Sequence, residues 1–193
     1  MGNNMKKQRC GYSLIALAIL AITGSASAAA LNVNFTANIR ETTCDMKLVG
    51  GEGSDTQQTL TIGNNGQVRI DDVKAGTANA AFKLVIIECP SSLTSLKTTI
   101  KGTKSADLPS GIMNQTPTTS GGADFSAVEI ARADAPDAPF IINSTVDAER
   151  LVWKREDIDN KEVPLVATLR ETKTDSMTIG DFQAVATFEF IYE

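Results

Sequence analysis

The chain has 193 residues, a formal net charge of −5, 42% hydrophobic residues and no histidine. An acidic surface repels nucleic-acid phosphates and anionic lipids, so the charge argues against both as partners. Without histidine the usual zinc ligand sets cannot be assembled, and no imidazole is present to act as a general base.

Residues 1–28 have the pattern of a secretory signal peptide. Three basic residues precede the apolar run LIALAILAI, and residues 26–28, Ala-Ser-Ala, have the small-residue spacing of a cleavage site. The apolar run is well short of the roughly 20 residues that a membrane-spanning helix needs. We therefore predict an exported chain that begins at Ala29, and the loss of three basic residues takes its net charge from −5 to −8.

The first segment after the predicted cleavage site, LNVNFTANIR, alternates strictly between apolar and polar residues. This period of two is typical of a half-buried strand. The strand can pair within its own sheet or within a neighbour's, and alternation alone favours its own. Its apolar face consists of Leu31, Val33, Phe35, Ala37 and Ile39.

Two cysteines, Cys44 and Cys89, remain after cleavage, because Cys10 lies in the signal segment. An even pair in an exported chain favours a disulfide over a metal or redox site. No CxxC motif is present.

The middle of the chain consists of short segments rich in Val, Ile, Thr and Phe, separated by turn-forming residues. This spacing predicts a single all-β sandwich domain. GNNG at residues 63–66 predicts a hairpin turn, and residues 105–123 predict a surface loop. The predicted strands are 33–49, 58–63, 67–73, 81–88, 96–102, 125–132, 163–171 and 182–192.

The last fourteen residues, GDFQAVATFEFIYE, predict a strand that runs to the C-terminus at Glu193. Aromatic and small apolar residues occupy every second position along it, so one face of the strand should be buried in a sheet. This face consists of Phe182, Ala184, Ala186, Phe188, Phe190 and Tyr192.

Three blocks of the sequence together resemble the pilin subunits of the chaperone-usher fimbrial family of Gram-negative bacteria. ATFEFIY at residues 186–192 is similar to the closing pattern of the family, which has an aromatic residue next to last. FKLVIIEC at residues 82–89 resembles the strand that leads to the second cysteine. VNFTANIRETTC at residues 33–44 resembles the N-terminal pattern that leads to the first cysteine.

The resemblance implies an incomplete immunoglobulin-like β-sandwich that lacks its final strand and is completed by a donor strand from another chain. Residues 41–193 would form the pilin domain, and residues 29–40 would be the donor-strand extension, which fills the groove of a neighbour with the five apolar residues named above. The edge of the acceptor groove would consist of Phe182, Ala184, Ala186, Phe188, Phe190, Tyr192 and Glu193.

The family also implies the partners: a periplasmic chaperone, an outer-membrane usher and neighbouring pilin subunits on a cell-surface fimbrium. The chaperone would hold the Glu193 carboxylate with basic residues, and the neighbour's strand would then replace the strand that the chaperone lends. No cofactor, metal or small-molecule substrate is implied.

Two features of the N-terminal segment depart from the usual family pattern. Ala37 stands where glycine is usual, so either the acceptor pocket must accept a methyl group or the strand must lie slightly higher in the groove. Only fifteen residues, 29–43, precede Cys44, which is closer to minor or adaptor subunits than to many major pilins.

The alternative function is a self-contained secreted immunoglobulin-like domain that binds a sugar or protein ligand on its loops. An enzyme is not expected, since no nucleophile elbow, S-x-x-K motif or phosphate-binding loop is present. A cluster of acidic residues lacks the spacing of a calcium loop and predicts a solvated face. The cluster consists of Glu149, Glu156, Asp157, Asp159 and Glu162.

Overall fold

Two β-sheets packed face to face form the fold. A computed structural model describes residues 43–193 and the backbone of residues 32–35. The first sheet has the strand order β3 (Glu52–Gly53), β4 (Gln57–Thr59), β1 (Asn32–Phe35), β11 (Ala186–Tyr192), β6 (Leu96–Lys101) and β9 (Leu151–Val152). The second has the order β2 (Asp45–Val49), β5 (Asn79–Glu88), β10 (Glu162–Glu171), β8 (Ser126–Arg132) and β7 (Gly111–Met113).

Within the described residues, three short helical segments lie between these strands. They are α1 (Ile70–Lys74), α2 (Arg155–Asp159) and a 3₁₀ turn at Thr118–Ser120. No helix in the described part of the chain combines the length and apolarity needed to cross a bilayer.

The core lies between the sheets and follows from the alternation of the long strands. On β5 the buried residues are Phe82, Leu84 and Ile86, spaced two apart. Across the core, the ring of Phe188 on β11 lies with its centroid 5.9 Å from that of Phe82. The prediction of an all-β sandwich is therefore confirmed.

One strand pair differs in direction from the other described ladders. β1 pairs with β11 in parallel and with β4 antiparallel, whereas the remaining ladders between named strands in the described part of the chain are antiparallel. β11 ends one residue before the C-terminus, and β1 occupies the position beside it. The N-terminal strand thus fills the place next to the last strand.

The predicted strand at residues 67–73 is wrong, because α1 occupies most of this segment. Asp71 and Asp72 lie in the first turn of α1, where acidic side chains stabilise a helix, and only Val73 of the helix is buried. The GNNG turn is present: Asn65 and Gly66 have φ of 52° and 78°, as a tight hairpin turn requires. A single bridge between residues 64 and 67 closes it, rather than two strands.

Other boundaries also differ from the predicted ones. The predicted strand 33–49 contains two strands, β1 and β2, and β11 begins at Ala186 rather than at residue 182. The expected surface loop at residues 105–123 contains β7, whose Ile112 is fully buried in the core. The short strand was missed because the Pro, Gly, Ser and Thr residues around it are typical of loops.

Candidate functional site

The groove between β4 and β11 holds the N-terminal strand. Val33 lies opposite Ala186 on one side and opposite Gln58 on the other. Phe35 lies opposite Phe188. Residues from the two ends of the described chain are therefore adjacent in one sheet.

The floor of this groove is apolar. Ala184, Ala186 and Phe188 are all buried and belong to the main core cluster. Beneath them is a small cavity of about 10 Å³, enclosed by side chains of both sheets. The lining residues are Leu60, Phe82, Ile112, Val128, Ile130, Ala167, Ala184 and Ala186. Any strand in the groove thus lies over an apolar surface, which favours apolar residues at alternate positions.

One end of the groove opens into a larger cavity of about 320 Å³, which we call the end cavity. One wall is the segment 59–62, which begins at the last residue of β4, together with Val68 and α1. The opposite wall is the segment 177–182 that precedes β11. Ile179 in this wall is 89% exposed, so the rim presents an apolar side chain to solvent.

Polar contacts fix the 177–182 wall. The Glu171 carboxylate accepts hydrogen bonds from the backbone N–H of Ser176 (2.8 Å) and of Met177 (2.9 Å). These backbone donors, that of Met177 foremost, lower the pKa of Glu171. Lys74 on α1 bonds Asp175 at 2.5 Å, which joins α1 to the residues just before the 177–182 wall and raises the pKa of Lys74.

The C-terminal carboxylate is bound within the chain. One main-chain carboxylate oxygen of Glu193 accepts bonds from the N–H of Thr94 (2.8 Å), the N–H of Ser95 (2.9 Å) and the Thr94 hydroxyl (2.7 Å). Lys97 Nζ lies 3.1 Å from the Glu193 side-chain carboxylate and 3.3 Å from Asp147. These hydrogen bonds, first that to Glu193, raise the pKa of Lys97.

The predicted disulfide is present, and it lies next to the last strand. Cys44 is bonded to Cys89, with the two Cα atoms 4.2 Å apart. The Tyr192 hydroxyl donates a hydrogen bond of 3.3 Å to the Cys44 carbonyl. Burial, with a smaller contribution from the Asp45 carboxylate, raises the pKa of Tyr192 to about 12.

The structure brings together most of the predicted groove residues. Ala184, Ala186 and Phe188 are buried, while Phe182, Phe190 and Tyr192 are half-buried and pack against the same core. Val33 and Phe35 belong to β1, whereas Leu31, Ala37 and Ile39 lie outside the described residues, as does the signal segment.

Sequence reasoning missed the residues that hold the C-terminus, Thr94, Ser95 and Lys97, and the walls of the end cavity. The backbone donors carry no sequence signal. The alternating Leu96, Thr98 and Ile100 could have placed Lys97 on the outer face of its strand.

The prediction that the acidic cluster forms a solvated face is correct only in part, because one of its members is buried. Asp157 is buried and forms an ion pair of 2.6 Å with Arg132, and it also accepts the backbone N–H of Lys154 at the start of α2. Within the described residues no group of three or more His, Cys, Asp or Glu side chains is placed to bind a metal.

Comparisons with known proteins agree with this architecture. The profile of the Fimbrial protein family matches residues 33–193. The uncharacterized fimbrial-like protein YadM of Escherichia coli (strain K12) is 29% identical over 186 residues, which cover 94% of this chain and 97% of YadM.

The crystal structure of the P pilus rod subunit PapA is similar with a TM-score of 0.51 at 16% identity. The match covers 81% of this chain and 96% of PapA, and it supports the immunoglobulin-like fold. The chain belongs to the Fimbrial protein family, whose members are structural subunits of pili and not enzymes.

Proposed function

We propose that this pilus subunit polymerises by donor-strand exchange, after a periplasmic chaperone delivers it to an outer-membrane usher. In this reaction residues 29–40 of one subunit enter the groove between β4 and β11 of the next. The observation that carries the proposal is the position of β1, which is an N-terminal segment bonded to the last strand.

The groove has two strand edges and an apolar floor, which are the features that an incoming strand requires. Without β1, the facing edges of β4 and β11 would have no strand between them, and the apolar floor would be open to solvent. A strand from another chain supplies main-chain hydrogen bonds on both sides and side chains for the floor.

The donor segment has a suitable sequence. Its predicted apolar face is Leu31, Val33, Phe35, Ala37 and Ile39. Burial of these side chains gives a gross driving force of about 6–10 kcal/mol before ordering costs. That magnitude supports a long-lived junction between subunits.

The C-terminus is the proposed chaperone contact. A basic chaperone cleft would take the Glu193 carboxylate, for which Thr94 and Ser95 already provide three donors in this structure. Chaperone binding therefore exchanges one set of hydrogen bonds for a charge-assisted one. The short extension before Cys44 favours a minor or adaptor position in the fibre.

The test compares chains that lack residues 29–39 with the same chains carrying residues 29–40 behind a flexible linker after Glu193. We expect the shortened chain to aggregate and the linked chain to unfold cooperatively at a much higher temperature. The matched control carries Val33→Asp and Phe35→Asp in the linked segment and should behave like the shortened chain, because charged residues cannot cover the apolar floor.

The position of β1 also favours a second function, because this strand completes the sheet within one chain. This function is a self-contained secreted domain that binds a sugar or protein ligand on its loops. A shortened chain that stays monomeric and keeps its unfolding temperature would support it and contradict donor-strand exchange.

A further inference from the structure

The tight turn at residues 63–66 contains the only Asn-Gly pair of the sequence, Asn65-Gly66. Both residues are exposed, and neither the Asn65 side chain nor the Gly66 N–H has a hydrogen-bond partner among the described residues. A Cβ atom at Gly66 would meet only the Thr61 methyl group, at 3.7 Å. The side-chain amide and the backbone nitrogen that follows it are therefore both open to solvent.

We propose that Asn65 is a site of spontaneous covalent modification by deamidation. The Gly66 backbone nitrogen attacks Cγ of the Asn65 side chain, and a bond forms between these atoms as the bond from Cγ to Nδ2 breaks. The attacking nitrogen gives up its proton, ammonia leaves, and a cyclic succinimide remains. Water then opens this ring at either carbonyl, which gives aspartate or isoaspartate at position 65. The reaction consumes water, releases ammonia and involves no oxidation or reduction.

The turn offers little resistance to this reaction. Ring closure changes the backbone angles at Asn65, whose φ is 52°, so the turn must first open. A single bridge closes it, in which the N–H of Asn64 donates to the Gln67 carbonyl (3.2 Å) and the N–H of Gln67 donates to the Asn64 carbonyl (3.0 Å). An isolated bridge at an exposed turn opens at little free-energy cost. Glycine also lacks the Cβ atom that would crowd the attacking nitrogen.

Two other asparagines have side-chain amides that are held in place. The Asn143 amide donates to the Gly102 carbonyl (3.0 Å) and accepts from the Gly102 N–H (3.2 Å). The Asn114 amide donates to the carbonyls of Ala123 (2.8 Å) and Asp181 (2.7 Å). These bonds must break before a backbone nitrogen can attack, so the fold protects both residues.

The two products should affect the turn differently. Aspartate tolerates the left-handed conformation of Asn65 nearly as well as asparagine does, so it keeps the turn and adds one negative charge. Isoaspartate adds one carbon atom to the main chain, which a two-residue hairpin loop does not accommodate, so the bridge between residues 64 and 67 is lost. The reaction depends on the turn alone and not on how the subunit assembles.

The test incubates the exported chain in mildly alkaline buffer, both folded and in urea, and follows each asparagine by peptide mass spectrometry. Cleavage after Lys and Arg releases residues 48–69, whose only asparagines are Asn64 and Asn65, and fragmentation assigns the change to one of them. We expect Asn65 in the folded chain to react within about threefold of its rate in urea, because the turn opens readily. Asn114 and Asn143 should react at least about tenfold more slowly in the folded chain than in urea.

Two variants separate the chemistry from the flexibility of the turn. Asn65→Gln keeps the amide but lengthens the side chain, and it should abolish the modification of this peptide. Gly66→Ala strains the turn, because φ is 78° at this position, and yet it should slow the reaction, since the added methyl group crowds the nitrogen.

The proposal would be overturned by an Asn65 that is as strongly protected by folding as Asn143. It would also be overturned by deamidation that fragmentation assigns to Asn64, or by deamidation of peptide 48–69 that continues at the same rate in Asn65→Gln.

Discussion

Phe188 on the last strand packs against Phe82 on the opposite sheet, with 5.9 Å between ring centroids and an angle of 57° between the rings. Both side chains are buried, and Phe188 also lies opposite Phe35 of the N-terminal strand. This pair joins the two sheets directly below the groove.

Phe188→Ala is expected to lower the free energy of unfolding by about 3–5 kcal/mol, because it leaves a cavity between the sheets. The matched control is Ile191→Ala on the same strand, since Ile191 is 38% exposed and should cost about 1 kcal/mol or less. Urea unfolding of the oxidised chain measures both. Similar losses in the two variants would mean that Phe188 does not hold the sheets together.

The disulfide between Cys44 and Cys89 closes a separation of 45 residues. Loss of the disulfide should lower the free energy of unfolding by about 3–4 kcal/mol, mainly because the unfolded chain gains entropy without the crosslink. The double variant Cys44→Ala/Cys89→Ala should match the reduced natural chain in urea unfolding, and reductant should not alter the double variant. Unchanged stability on reduction would contradict this expectation.

Two adjacent threonines on β6 should respond differently to substitution by valine. The Thr98 hydroxyl accepts a hydrogen bond of 2.9 Å from the buried Trp153 indole N–H. The Thr99 hydroxyl is buried with no hydrogen-bond partner among the described residues. We expect Thr98→Val to destabilise by about 1–3 kcal/mol, and Thr99→Val to be neutral or to stabilise by about 1 kcal/mol.

Each threonine variant serves as the control for the other, since both remove one hydroxyl from the same strand. Thermal and urea unfolding provide the measurement. A loss of stability in Thr99→Val as large as that in Thr98→Val would show that Thr99 has a partner.

Glu171 should make stability depend on pH in the acid range. Its folded pKa lies below its ordinary value of 4.5, so its contribution is present at neutral pH and is lost as pH falls below 4.5 through the folded value. Glu171→Gln should therefore be less stable than the natural chain at pH 7. The difference should shrink as the pH decreases toward 3.

Urea unfolding at several pH values measures this difference directly. The control is Glu189→Gln, because Glu189 is exposed and its contact with Lys101 is a surface pair at 3.4 Å. A difference between the natural chain and Glu171→Gln that stays constant from pH 7 to pH 3 would exclude the carboxylate as its source.

The long strands could be predicted well from the sequence. Their side chains point alternately to the core and to the outer face, so apolar and polar residues alternate over many positions. The buried Leu84 and Val163 on β5 and β10 lie where period-two spacing places them. The segment at α1 was too short for its period to be distinguished from that of a strand. Alternation is also the same in both directions, so the parallel direction of β1 could not be predicted.

The candidate site was predicted only in part. The apolar face of β11 could be predicted, since Ala186 and Phe188 follow a local pattern. The end cavity could not, because its walls at residues 59–62 and 177–182 are more than a hundred positions apart. The C-terminal contact was missed for a similar reason, since it depends on backbone amides of Thr94 and Ser95.

The position of the disulfide determines how the domain would carry a mechanical load. If the N-terminal segment is bound by a neighbouring subunit, as proposed above, a pull on it reaches the domain at Cys44, just before the edge strand β2. Without a covalent link, this force would separate β2 from β5 one residue pair at a time. The bond to Cys89 passes the tension to the end of β5, which lies inside the sheet between β2 and β10. Resistance to traction along a fibre would then depend on a covalent bond and a central strand, not on the edge of the sheet.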